Sequence, residues 1–187
     1  MNELVLIRHA PALTGGLVTG RRDVAADLPP AAAMAEAALR IGPVARVISS
    51  PAQRCVQTAH ALWPARIPVT DAILWEQDFG AWEGQPPSVM PDLGPQPREA
   101  LAEMSPPGGE SFADLCVRTW PALDRIAAAE GRSAVLCHAG TIRAALALAL
   151  DDIGAALAFD VAPLSVTRLA RVGDAGWAVR CVNLLLT

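Results

Sequence analysis

Residues 3–10 read ELVLIRHA, a short apolar run that stops abruptly at an arginine and a histidine. Six residues of this kind, too few for a buried helix and rich in branched side chains, predict a strand covered on both faces. Two later stretches repeat the pattern. VARVIS (44–49) runs into Ser50, and SAVLCH (133–138) carries its own histidine at the end. Helical segments separate the three runs, so the order strand–helix–strand–helix, then helix–strand–helix, predicts an α/β chain. The expected architecture is a three-layer α/β/α sandwich with a mainly parallel central sheet and an antiparallel edge.

The elements follow outward from these runs. A loop rich in Gly and Thr extends from Pro11 to about Asp27, and an alanine-rich helix begins near Pro30. Ser50 and Pro51 offer an N-cap and a first-turn proline for a helix to about Trp63. The proline-rich segment at about 86–107 lacks periodicity and reads as a lid or insertion, with one short helix at 97–104. Ser111 and Asp114 form a capping-box pattern. Apolar residues then recur at helical spacing, with a kink expected at Pro121 and a stop at Gly131. TIRAALALAL is the helix after the third strand. Residues 164–186 read as an antiparallel hairpin at the sheet edge, turning at Gly173–Gly176. The whole, residues 1–187, is expected to form a single domain.

Composition limits the possible partners. Apolar residues make up 52% and charged residues 18%, which describes a globular chain rather than a disordered one. The fifteen basic residues are all arginine, and the net charge is -4. That balance argues against nucleic acid or an anionic membrane as partner, so any anion site must be a local arginine cluster. Cys55, Cys116, Cys137 and Cys181 are scattered and read as core thiols rather than a disulfide or zinc set. The start lacks a secretory pattern, and AALALAL is too short to span a bilayer, so a cytoplasmic protein is expected.

The chemistry collects where the strands end. In open α/β sheets ligands bind beyond the carboxyl ends of strands, so His9 and His138 should face one crevice. Arg54, one turn into the second helix, can reach back to it. Arg143 either does the same or lies on its helix surface. The amides of Ala139, Gly140 and Thr141 open a helix and form an anion cradle. Two histidines and two arginines at such positions suit a phosphoryl group, with forked donors from Arg8 and Arg54. A neutral imidazole can attack phosphorus, and neighbouring cations favour that neutral form. This chemistry needs no metal and no cofactor. Glu76, Asp78 and Glu83 are all candidates to protonate the leaving oxygen.

Five segments, in order, resemble those of the histidine phosphatase superfamily, whose fold is phosphoglycerate mutase-like. They are LVLIRHA (4–10), VISSPAQRCVQTA (47–59), LWEQDFGAWEG (74–84), PPGGES (106–111) and VLCHAGTIRAAL (135–146). The resemblance implies that His9 is the nucleophile and that Arg8, Arg54 and His138 form the phosphate pocket. It assigns the acid role to Glu76, leaves Glu83 with Trp82 to anchor the loop, and puts Glu110 and Ser111 at the substrate pocket. The chain departs from the pattern at Ala10 and Ala139, where glycine is usual, and at Gly15, where the family has asparagine. Thr14, Thr19 or loop amides are the available substitutes.

The segment TGRRDVAADLPP (19–30) resembles alpha-ribazole phosphatases and related small phosphatases, which would bring Arg21 to the phosphate. The expected activity is hydrolysis of a small phosphate ester through a phosphohistidine, with alpha-ribazole 5′-phosphate, from cobalamin assembly, the leading substrate. Three alternatives are a mutase, a non-catalytic module that binds a phosphorylated ligand, and a metal hydrolase, whose cation two arginines would repel. His60, in mid-helix without a partner motif, reads as structural. The tryptophans read as packing residues, with Trp75 or Trp82 available to a pocket rim.

Overall fold

The computed structural model describes residues 2–173 and 176–186. Its centre is a six-stranded sheet of β1 (Glu3–Arg8), β2 (Arg46–Ser49), β3 (Val69–Thr70), β4 (Arg132–Cys137), β5 (Ser165–Val172) and β6 (Gly176–Leu185), in the order β3-β2-β4-β1-β5-β6. Strands β3, β2, β4 and β1 are parallel, and β5 runs antiparallel to both β1 and β6. The hairpin at the edge is therefore present, although Asp174 and Ala175 of its expected turn lie outside the described residues.

The strand runs are apolar throughout because both faces are covered. Side chains alternate across the sheet. Val5, Ile7, Ala134 and Leu136 pack under α1 (Ala31–Ile41) and α2 (Gln53–Leu62). Leu4, Leu6, Val135 and Cys137 pack on the other face, against α4 (Phe112–Ala128) and α5 (Ala139–Leu150), with α3 (Arg98–Ala102) and α6 (Ile153–Ala156) outside. The result is the expected α/β/α sandwich.

Three local expectations need comment. Helix α2 begins at Gln53 rather than at Pro51, and Ser50 does not cap it. The Ser50 hydroxyl is instead committed to His138 and to the amide of Ala52. The capping box forms as expected, with Ser111 and Asp114 exchanging bonds, and α4 continues through Pro121 to Ala128. The two-residue strand β3 carries no apolar run, and the sequence did not signal it.

Parallel pairing of β1 with β4 sets Arg8 opposite Cys137, so His9 and His138 leave neighbouring strands at the same level. Pairing of β4 with β2 adds Ser49 and Ser50 beside them. Order in the sheet thus concentrates the polar residues at the carboxyl ends of three interior strands.

Candidate active site

His9 is buried, and its Nδ1 lies 2.6 Å from the carbonyl oxygen of Ala10. A carbonyl only accepts, so Nδ1 carries the proton and donates it, leaving Nε2 with its lone pair. Ala10 is itself fixed, its amide donating to Thr58 Oγ1 at 3.0 Å. It lies outside the left-handed region, so this position does not require a glycine. Burial first, and then the charges of Arg54 and Arg8, lower the imidazole pKa to about 3, against the raising effect of the Ala10 bond. His9 is accordingly neutral across the physiological range.

Arg54 is fully buried, on α2 one turn past the end of β2. Its Nη1 donates to Arg22 O at 2.9 Å and its Nη2 to Gly20 O at 2.7 Å, so the guanidinium holds the glycine-rich loop against the sheet. Nη2 also lies 3.3 Å from His138 Nδ1. Arginine only donates, so His138 Nδ1 is an acceptor, and its Nε2–H donates to Ser50 Oγ at 2.9 Å. Burial, then His9 and the arginines, lower the His138 pKa well below its usual value. Trp75 stacks on the same ring, with centroids 6.3 Å apart, and the His9 ring meets it edge-on at 5.2 Å. His138 is thus a neutral, clamped ring.

Arg8 donates from Nη1 to Val161 O at 2.5 Å. Its Nε is buried without a hydrogen-bond partner among the described residues. A buried donor left open is costly unless something binds there, and Arg8 lines a cavity of about 260 Å³. His9, Arg54, Glu76, Thr14, Thr19 and Pro163 line the same cavity.

Glu76 comes to this cavity from the segment after β3. Its Oε1 accepts from Gln77 N at 3.0 Å and its Oε2 from Gly140 N at 3.2 Å, at the start of α5. The helix N-terminus expected to cradle an anion therefore holds the Glu76 carboxylate. A Cβ on Gly140 would lie 2.2 Å from Glu76 Oε1 and 2.7 Å from Leu115 Cδ2, so a side chain here would push the ends of both aside, whereas Ala139 beside it does not line the cavity.

The other acids have separate tasks. Glu83 accepts the amides of Gly20, Arg21, Arg22 and Phe79, an anchor between two loops. Asp78 accepts Gly80 N within its own turn. Arg21 does not line the cavity. Its Nε donates to Glu76 O at 3.0 Å, and its Nη2 pairs with Glu110 at 3.5 Å. Arg143 donates to Phe159 O. Glu110 and Ser111, expected at the substrate pocket, do not line it either. Glu110 binds Arg118 and the amide of Asp78, while Ser111 caps α4, its hydroxyl being required there. His60, expected in mid-helix, is exposed in the last turn of α2.

Arg118 escaped the sequence reading. From α4 it donates to the carbonyls of Ile73, Trp75 and Glu76 and pairs with Glu110, pinning the segment that carries the acid. The only sequence signal was a charged residue interrupting an apolar helical stripe beside Leu115 and Thr119. Gly15, where the family has asparagine, has φ +64° and open space where a side chain would project. Thr14 and Thr19 are the hydroxyl-bearing residues that reach the cavity instead.

Among the described residues no group of three His, Cys, Asp or Glu is arranged to hold a metal ion. No helix among them is long and apolar enough to cross a membrane.

Comparison with known proteins agrees with this geometry. Residues 4–184 match the family described as histidine phosphatase superfamily (branch 1). The bifunctional protein Rv2228c of Mycobacterium tuberculosis is 39% identical over 154 residues, covering 77% of this chain. The matched part is 42% of that protein's length, so the chain spans less than half of its curated relative. Among solved structures, a mycobacterial glucosyl-3-phosphoglycerate phosphatase superposes with a TM-score of 0.84 at 23% identity, covering 99% of this chain and 100% of that one. A putative alpha-ribazole-5′-P phosphatase from Escherichia coli gives 0.81 at 19% identity, covering 98% of each chain. At such identities these likenesses speak for the fold.

Proposed function

The chain belongs to the histidine phosphatase superfamily, and from that premise we propose that it hydrolyses a small phosphate monoester through a phosphohistidine at His9. The observation that carries the reading is the Nδ1–H bond of His9 to Ala10 O, which leaves a neutral Nε2 in a cavity with Arg8, Arg54 and Glu76.

In the first step Nε2 forms a bond to phosphorus as the bond to the ester oxygen breaks. Glu76, in its acid form, gives its proton to that departing oxygen. The phosphorylated imidazole carries a positive charge, which the Ala10 carbonyl stabilises through Nδ1–H. Arg8 and Arg54 hold the phosphoryl oxygens through the passage, and positioning with charge stabilisation supplies most of the acceleration. In the second step Glu76, now a carboxylate, takes a proton from water as its oxygen attacks phosphorus. The N–P bond breaks, and inorganic phosphate leaves with His9 and Glu76 restored.

Alpha-ribazole 5′-phosphate is the proposed substrate, supported by the TGRRDVAADLPP segment and by the fold shared with the Escherichia coli protein. Glucosyl-3-phosphoglycerate is the comparison substrate, suggested by the mycobacterial structure. The test is turnover of both, and of p-nitrophenyl phosphate, with chelator present, in wild type and His9→Ala. Wild type should be active and the variant reduced at least about a thousandfold, as expected when a nucleophile is removed. Full activity in the variant would overturn the mechanism. Phosphate binding without turnover would favour the binding-module reading.

A further inference from the structure

We infer that Asn183, near the end of the last strand, is a positioning residue for Arg8 and acts through the loop that carries Val161. The inference rests on the reading of Arg8 as a phosphate-binding residue.

Among the described residues the Arg8 guanidinium has one fixed point, the carbonyl of Val161. That carbonyl lies in a stretch without regular structure between α6 and β5, where main-chain direction depends on whatever bonds the stretch makes. The next residue makes a decisive one. Ala162 N donates to Asn183 Oδ1 at 2.7 Å, a contact that crosses to β6. Two residues further, Leu164 N donates to the carbonyls of Arg8 and His9 at 3.2 and 3.4 Å, and Leu164 O accepts from Leu186 N at 3.2 Å. The loop is therefore stitched to the end of β1 on one side and to the end of β6 on the other.

Backbone conformation shows that these stitches bear load. Leu164 has φ +53°, a region that a bulky side chain occupies only when its surroundings fix it there. Asn183 has φ +56°, where the β5–β6 register shifts between Val166 and Arg168, and its own amide donates to Thr167 Oγ1. Asparagine suits this place twice over, since it tolerates the left-handed region and offers a short amide oxygen. With that oxygen gone, Ala162 N loses its acceptor, Val161 O is free to turn, and the open Nε of Arg8 no longer has a fixed aim.

Three proteins, wild type, Asn183→Gly and Asn183→Asp, separate this from a general loss of structure. Glycine keeps the left-handed backbone and removes the acceptor, while aspartate keeps an oxygen for Ala162 N. The readouts are kcat and KM for p-nitrophenyl phosphate, the inhibition constant of inorganic phosphate, and Tm. In N183G the phosphate inhibition constant and KM should each rise about tenfold, the scale of one charge-assisted hydrogen bond, with kcat falling less. N183D should recover most of that loss. An active N183G whose phosphate inhibition stays within about twofold of wild type, on the same scale, overturns the inference alone. So does an N183D no better than N183G. A wild type that neither hydrolyses the ester nor binds inorganic phosphate overturns the phosphatase reading, and this inference with it.

Discussion

The two ends of the central sheet each gather arginines, and they fix them in opposite ways. At the amino end, Arg132 and Arg168 both pair with the carboxylate of Glu3, which is itself buried, at 2.8 and 2.9 Å. At the carboxyl end, Arg8 and Arg54 are held by neutral carbonyls, those of Val161, Gly20 and Arg22. Neither has an ion pair with a carboxylate among the described residues. The first arrangement consumes charge to join strands β1, β4 and β5. The second fixes position while leaving charge unspent, and an anion from solution can then use it. The anchor of an arginine, more than its burial, separates a structural residue from a binding one.

That contrast can be attacked from either end. After His9→Ala, the largest effect should come from Glu76→Gln at the carboxyl end. It should cut kcat on an alkyl phosphate by about 10²–10³, in keeping with loss of a general acid, and by much less on p-nitrophenyl phosphate, whose leaving group needs little help. Equal losses on both esters would deny Glu76 the acid role. Gly140→Ala should follow, with about a 10–100-fold fall in kcat, because the added Cβ would lie 2.2 Å from Glu76 Oε1 and force the carboxylate aside. Its ratio of activities on the two esters should shift as that of E76Q does, and an unshifted ratio would mean that Glu76 adapts.

A pH series sharpens the comparison, because the buried histidines belong to the carboxyl end. The His9 pKa is lowered to about 3 when folded, whereas an unfolded histidine titrates near 6.5. Between those values the unfolded chain binds the extra proton, so stability falls as pH falls. At pH 5 this amounts to about 2 kcal/mol for one such histidine. The Tm of His9→Gln should therefore drop less than that of wild type between pH 7 and pH 5, and parallel curves would refute the shift. The smallest effect should come from Glu3→Gln. It should cost about 1 kcal/mol, since water can reach the partly exposed arginines it abandons. Activity should stay within about twofold, and a larger loss would show that the two ends are coupled.

Much of this was legible in the sequence for a physical reason. The three apolar runs, and the polar residues at their ends, are local patterns, and parallel pairing needs nothing more to bring His9, Arg54 and His138 together. What stayed hidden runs between distant elements and ends on main-chain atoms. Val161 O beneath Arg8, the carbonyls under Arg118 and the amide of Ala162 on Asn183 leave no trace in residue type. Ser50 shows how the two levels compete. Its position predicted a helix cap, but the buried imidazole of His138, with a proton to donate, claimed the hydroxyl first. The strand β3 failed for a related reason, being too short to carry a period.

The pairing of β1 with β4 joins Glu3 to Arg132, 129 residues along the chain. Such a contact closes a long loop before it returns any stabilisation, and closures of this kind slow folding. The two histidines meet only through that closure, and Arg8 gains its carbonyl anchor from a loop later still. During synthesis His9 therefore waits for His138, and then for the loop that carries Val161, before the side chains of this cavity can assemble.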